Sequence, residues 1–322
     1  MSTMQSALRL RHFPASFFAM VMGLAGLTIS WEKAQQILQL ELGLVPWLLA
    51  FTAAVFVLIA LLYGAKLVLH RDAVLEELRH PVRLNFFPTL SISLLLLSIA
   101  LLSSRPQLSL VLWAVGAATQ LALTLYIVGD WMHGTRFQVH HLNPSWFIPA
   151  VGNVLVPIAG VPLGFVDLSW FYFSAGFLLW SVLMISVFYR VLFHHPLEAR
   201  LMPTLFILIA PPAVGFIAYS RLVDELDVFA HALYFAALFL TLLLLVQAPR
   251  FLRLRFYLSW WAYSFPLAAV SIAMMVMYER TGTVLHRDLA IGLLMMLSGI
   301  VLLLLVSTVT AVLQRRICVP EQ

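Results

Sequence analysis

The chain has 322 residues, of which 62% are hydrophobic and only 10% charged, with a formal net charge of +5 and a mean hydropathy of +0.98. A soluble domain of this size is about half apolar and a quarter charged, so this composition excludes a water-solvated surface and makes lipid the solvent. The single cysteine, Cys318, excludes an internal disulfide and is a poor metal site alone.

The polar segment Met1 to His12 carries Arg9 and Arg11, and an apolar stretch follows from Phe13 to Trp31. A signal peptide has a shorter apolar core and a small-residue cleavage site, so this stretch is expected to be a retained first membrane helix. Further runs follow at an even pace, giving spans of about 13–31, 44–69, 84–104, 107–129, 144–162, 167–192, 201–221, 227–248, 256–278 and 288–313. Each approaches the ~20 residues that cross the hydrocarbon. None shows the ten-residue alternation of a membrane β-barrel. Because lipid offers the backbone no partners, such runs form helices. The expected fold is an all-α integral membrane protein, one transmembrane domain over residues 1–322.

Basic residues divide unevenly between the two sides. About fourteen of the 19 lie in the N-terminus, alternate loops and the C-terminus, and about five (Lys33, Arg105, Arg221, Arg280, Arg287) on the opposite side. The positive-inside bias then predicts cytoplasmic termini. Prolines alternate too: Pro88 in the third span, Pro149 and Pro157 in the fifth, Pro211 and Pro212 in the seventh, Pro266 in the ninth, and none inside the fourth, sixth, eighth or tenth. Proline within a helix removes a hydrogen bond and bends it, and freed backbone groups at membrane depth need protein or water beside them. Odd spans are therefore predicted to be interior and kinked, and even spans peripheral and straight, as five hairpins around an axis. The first span carries Gly23 and Gly26 where the others carry proline.

Ionisable residues are nearly absent from the predicted span centres. Proton-driven transporters usually place titratable groups at depth, and an intramembrane enzyme needs a nucleophile, base or metal constellation; neither pattern is present, so no enzyme activity, metal or cofactor is expected. The pairs His140–His141 and His194–His195 fall on loops of the basic side, where they either sit at the headgroup interface or contribute to a metal site. Cys318, after Arg315 and Arg316, reads as a free thiol or a palmitoylation site. An ion path without fixed charges relies on weaker devices: the partial positive charge of broken helix ends, and the hydrogen-bond donors of Ser264, Ser271 and Asn153. In Ser259-Trp-Trp-Ala-Tyr-Ser-Phe265-Pro266 an aromatic adjoins a proline. Directed inward, Phe265 would plug a narrow path and exclude water; directed outward, it would pack between helices.

Several motifs together resemble the tellurite-resistance and C4-dicarboxylate transporter family, which includes plant slow anion channels. They are His80-Pro-Val-Arg83 before the third span, Asn143-Pro-Ser-Trp-Phe-Ile-Pro149-Ala-Val-Gly-Asn153 opening the fifth, Ala210-Pro211-Pro212 with Tyr219 in the seventh, and Trp261-Ala-Tyr-Ser-Phe265-Pro266 in the ninth. The resemblance implies ten helices around a central pore, a homotrimer with one pore per subunit in a bacterial inner membrane, and occlusion by Phe265, with Pro88, Pro149, Pro157, Pro211, Pro212, Pro266 and Gly23 shaping the wall. It also implies partners that are small inorganic or carboxylate anions and lipid, with no nucleic acid. Members are associated with tellurite, dicarboxylates, sulfite, nitrate or chloride. The first span departs from the bacterial pattern by having Val21 where a proline is common. Two functions stay open from the sequence: a passive anion channel, and a proton-coupled exporter of C4-dicarboxylates, sulfite or toxic oxyanions.

Overall fold

The computed structural model describes residues 9–318; the first eight and last four residues, including the chain ends whose cytoplasmic placement is predicted, lie outside them. The described residues form helices and no strand. The ten main α-helices are α1 (Phe18–Leu38), α2 (Leu44–Leu69), α3 (Pro88–Leu101), α4 (Pro106–His133), α5 (Phe147–Gly160), α6 (Val166–Phe193), α7 (Ala210–Leu222), α8 (Val228–Leu245), α9 (Ser264–Thr281) and α10 (Val284–Leu313). Counting the short turns that lead into them, nine are long and apolar enough to cross a membrane, and the segment around α5, Pro144–Gly160, is shorter. Every residue of α5 is buried, so its length need not match a hydrocarbon slab.

Odd and even helices differ sharply in burial. In the apolar windows of α1, α3, α7 and α9, 67%, 67%, 83% and 78% of residues are buried, against 11%, 33%, 28%, 39% and 33% for α2, α4, α6, α8 and α10. The inner helices pack on one another, and each packs on the even helix that follows it. The even helices turn outward large apolar side chains such as Trp47, Leu61, Ile185, Phe239 and Leu302. An apolar exterior of that extent is untenable in water and marks a membrane protein.

The prolines sit where the alternation predicted, but they act differently from the expected mid-helix kink. Each inner α-helix is preceded by a 3-10 segment: Ala15–Phe17, Arg83–Phe86, Pro144–Trp146, Met202–Ile209 and Leu258–Tyr263. Pro88, Pro149, Pro211, Pro212 and Pro266 fall in the first turn of the α-helix that follows. There a missing N–H costs the α-helix nothing, and only the carbonyl four residues back must be served otherwise. The 3-10 bond does this by using the donor three residues on: the Leu84 carbonyl, deprived of Pro88, accepts from the Phe87 amide at 3.2 Å. Of the prolines in the inner spans, Pro157 lies inside its α-helix. The first inner helix has a 3-10 start after Pro14 but no proline in its first α-turn.

A buried polar chain ties α3, α4 and α5 together. Ser91 donates to Gln120 Oε1 at 2.6 Å, and Gln120 Nε2 donates to the Pro149 carbonyl at 2.8 Å. Asn153 Nδ2 donates to Thr124 Oγ1 at 2.9 Å and to the same Pro149 carbonyl at 2.7 Å. Replacing Gln120 with leucine strands several buried groups at once and is expected to cost about 1–3 kcal/mol. Thermal unfolding in detergent checks this; an unchanged midpoint would show the chain of bonds to be dispensable.

Candidate functional site

Two cavities lie in series on the axis enclosed by the inner helices. The cavity nearer the end where Arg11 and Cys318 lie, the near chamber, has a volume of about 80 Å³. The far chamber, toward the opposite end, measures about 140 Å³. Both are walled by all five inner segments and by no even helix. The far chamber takes Ile29 from α1, Ile99 from α3, Ile158 from α5, Ile217 from α7 and Ile272 from α9. The near chamber takes Ala19, Thr89, Val151, Ile207 and Ala262 from the same five segments. Phe265 is the one residue that lines both, and it is only 6% exposed.

The near chamber has a regular wall. Its lining residues recur in threes: Ser16, Ala19 and Met22; Phe86, Thr89 and Ile92; Ile148 and Val151; Thr204, Ile207 and Ala210; Ser259, Ala262 and Phe265. In a 3-10 helix side chains at i and i+3 eclipse one another, so each segment presents one straight stripe. Four of the stripes begin in the 3-10 turns and finish in the first turn or so of the α-helices, whereas Ile148 and Val151 both lie in α5 itself. Phe265 is the last rung of the α9 stripe. In the far chamber the α9 wall returns to α-helical spacing through Ala268, Ala269, Ile272, Val276 and Glu279. Across from Phe265, α1 comes close because it carries glycine: a Cβ at Gly26 would stand 2.8 Å from that of Ala268, and one at Gly23 would overlap the Ser264 hydroxyl.

The other candidate residues lie differently. Pro266 lines the near chamber, whereas Pro88, Pro149, Pro157, Pro211 and Pro212 are buried but line neither chamber. Gly23 is spent on the α1–α9 contact. The three candidate anion donors have turned to the protein. Ser264 donates to the Trp261 carbonyl at 2.7 Å, Ser271 to the Ala290 carbonyl of α10 at 3.1 Å, and Asn153 to Thr124 and Pro149. None of the three is on either wall. The far wall is instead largely branched aliphatic, with charge only at its mouth, where Lys33, Arg221, Glu279 and Arg280 line the cavity, and the near wall adds the hydroxyl residues Ser16, Thr89, Thr204 and Ser259. The sequence offered no signal for the four charged residues as a group, because they come from α1, α7 and α9.

Comparisons with known proteins place the chain in a family. The family described as voltage-dependent anion channel (SLAC1) matches residues 12–309. The chain belongs to the voltage-dependent anion channel family. Among relatives, it is 29% identical to the S-type anion channel SLAH3 of Arabidopsis thaliana over 310 residues, 93% of this chain and 48% of that one. It is 27% identical to a tellurite resistance protein TehA homolog of Haemophilus influenzae, over 83% of this chain and 81% of that one. It is 26% identical to an uncharacterized transporter of Methanocaldococcus jannaschii, over 94% and 96%. The chain thus spans about half the length of the plant relatives it matches.

In this voltage-dependent anion channel family member the near chamber opens into a vestibule of about 420 Å³ that shares Ser16, Phe86, Leu258 and Ser259 with it and adds Glu77, His80, Arg83, His140, His141, Glu198 and Arg200. His140 and His141 stand with ring centroids 4.0 Å apart. The His141 imidazole is held below its ordinary range by burial and, secondarily, by the His140 charge. His194 and His195 are not on this wall. Among the described residues no group of three or more His, Cys, Asp or Glu could hold a metal ion. Cys318 lies beside Lys66 and Arg316, and burial pushes its thiol up to about 11.

Proposed function

We propose that the chain is a passive pathway for small anions, closed in this state by Phe265. What carries the reading is that one aromatic side chain lines both halves of an axial path walled by the five inner helices. A benzyl group between two narrow apolar chambers excludes water, and a dewetted constriction does not conduct. The excess of basic residues on the side of the termini supports cytoplasmic termini in a bacterial inner membrane, with that basic rim concentrating anions at the mouth. The outward apolar faces of the even helices are available to lipid and to two further copies in a homotrimer. A proton-coupled exporter of C4-dicarboxylates, sulfite or toxic oxyanions is less well supported, since the one carboxylate on either wall, Glu279, stands at the far mouth rather than next to Phe265.

A wall without fixed charge at its centre selects by the cost of dehydration. Reconstituted in liposomes, the protein is expected to pass nitrate ahead of chloride, with malate, sulfite and tellurite last. Reversal potentials across that panel test the order. A selectivity favouring doubly charged anions, or a flux that collapses with an uncoupler at fixed voltage, would replace the channel reading with the exporter.

A further inference from the structure

The far mouth holds a feature that the apolar wall does not explain. Lys33, near the end of α1, meets Glu279, near the end of α9, with its Nζ 2.7 Å from one carboxylate oxygen and 2.6 Å from the other. Fourteen residues of α9 separate Phe265 from Glu279, which at 1.5 Å per residue sets the pair about 21 Å from the aromatic. Arg280 beside it is anchored, donating to the Ser220 carbonyl at 2.9 Å and the Asp224 carbonyl at 2.7 Å, and Arg221 is exposed. Among the charged residues on this wall, three are cationic and Glu279 alone is acidic. Glu32, the neighbour of Lys33, is off the wall and accepts from Ser103 at 2.8 Å.

The two partners are not equally held. The Lys33 side chain is 18% exposed and that of Glu279 is 41% exposed. A partly exposed ion pair contributes little net stability, because water competes for both ends. The carboxylate can therefore leave at small cost, and the ammonium then stands in the chamber without a partner. We propose that Lys33 is an anion-binding group at the far mouth and that Glu279 occupies it as a built-in counter-ion until a small anion displaces it. The ligand class is any compact anion able to accept from an ammonium: a halide, nitrate or a carboxylate. The glutamate thereby keeps the lysine from holding a permeating ion too tightly, since conduction needs sites weak enough to leave. The inference rests on the anion-pathway reading above.

The test uses the full chain in liposomes, in the Phe265→Ala background, with nitrate flux measured against nitrate concentration. Glu279→Gln is expected to lower the half-saturating concentration about three- to fivefold at low ionic strength, and Lys33→Gln to raise it by a similar factor, as one nearby charge in near-bulk water would. Both shifts should shrink in high salt as screening shortens the reach of the charge. Opposite signs are diagnostic, because a purely structural pair would give the same change whichever partner is lost. Shifts in the same direction, or none, overturn the proposal. Should Lys33→Gln fail to fold, the more exposed Glu279→Gln decides alone, and a half-saturating concentration that does not fall refutes the counter-ion role. A Phe265→Ala protein no more conductive than the parent removes the gate but leaves the comparison to be made on the parent flux; absence of any anion flux ends both readings.

Discussion

Phe265→Ala is expected to raise anion conductance about tenfold in oocytes or planar bilayers, at unchanged surface level. The aromatic ring alone bridges the two chambers, and the α1 residue that faces it, Gly26, is small. Opening by rotation of the side chain into a less favoured rotamer costs of order 1–1.5 kcal/mol, which holds the path shut about nine-tenths of the time; removing the ring removes that factor. Phe265→Trp, which keeps a ring at the same rung of the stripe, is expected to stay closed. An alanine variant with parental current would place the barrier elsewhere on the path.

A second large effect is expected at the opposite end. Lys66, at the end of α2, and Glu77, on the short helix Arg71–Arg79, form an ion pair at 2.9 Å with side chains only 1% and 5% exposed. Tyr63 donates to the same carboxylate at 2.8 Å, and Lys66 donates to the Phe13 carbonyl at 2.9 Å. The pair thus joins α2, the short helix and the approach to α1. Lys66→Met leaves Glu77 buried without its counter-charge, and breaking a buried pair from one side costs about 3–5 kcal/mol. Replacing both, as Lys66→Met with Glu77→Leu, is expected to recover most of that loss, because an apolar pair carries no stranded charge. Unfolding midpoints of the two variants in detergent check this. A double variant as unstable as the single one would mean that packing, rather than charge, governs the junction.

The membrane helices were readable because lipid forces long apolar runs, and the inner–outer order was readable because prolines avoid helices that face it. Boundaries shifted where charge was misleading. The first span was expected to stop at Trp31, yet α1 continues to Leu38, since Lys33 faces Glu279 at the chamber mouth. The last span begins at Val284, four residues before its expected start, and takes in His286 and Arg287. The division of each inner segment into 3-10 and α parts was not legible, because a proline in the first turn and a proline in mid-helix look alike in sequence. Nor could the direction of a hydroxyl be read: Ser271 bonds to α10 and Asn153 to α4, and nothing in their spacing distinguishes that from a pore-facing turn. The Lys33–Glu279 pair joins positions 246 residues apart, beyond any local pattern.

The three-residue rhythm of the near wall makes chain length there as consequential as side-chain identity. Loss of a single amino acid between Ser259 and Ala262 would swing all that follows by roughly a third of a revolution. Pro266 would then occupy the rung where Phe265 now sits, and the later pore-facing positions on that segment would be replaced at a stroke. Gaps and insertions in these five short stretches are thus tolerable only in whole multiples of the repeat, whereas the α-helical far wall has no such quantum.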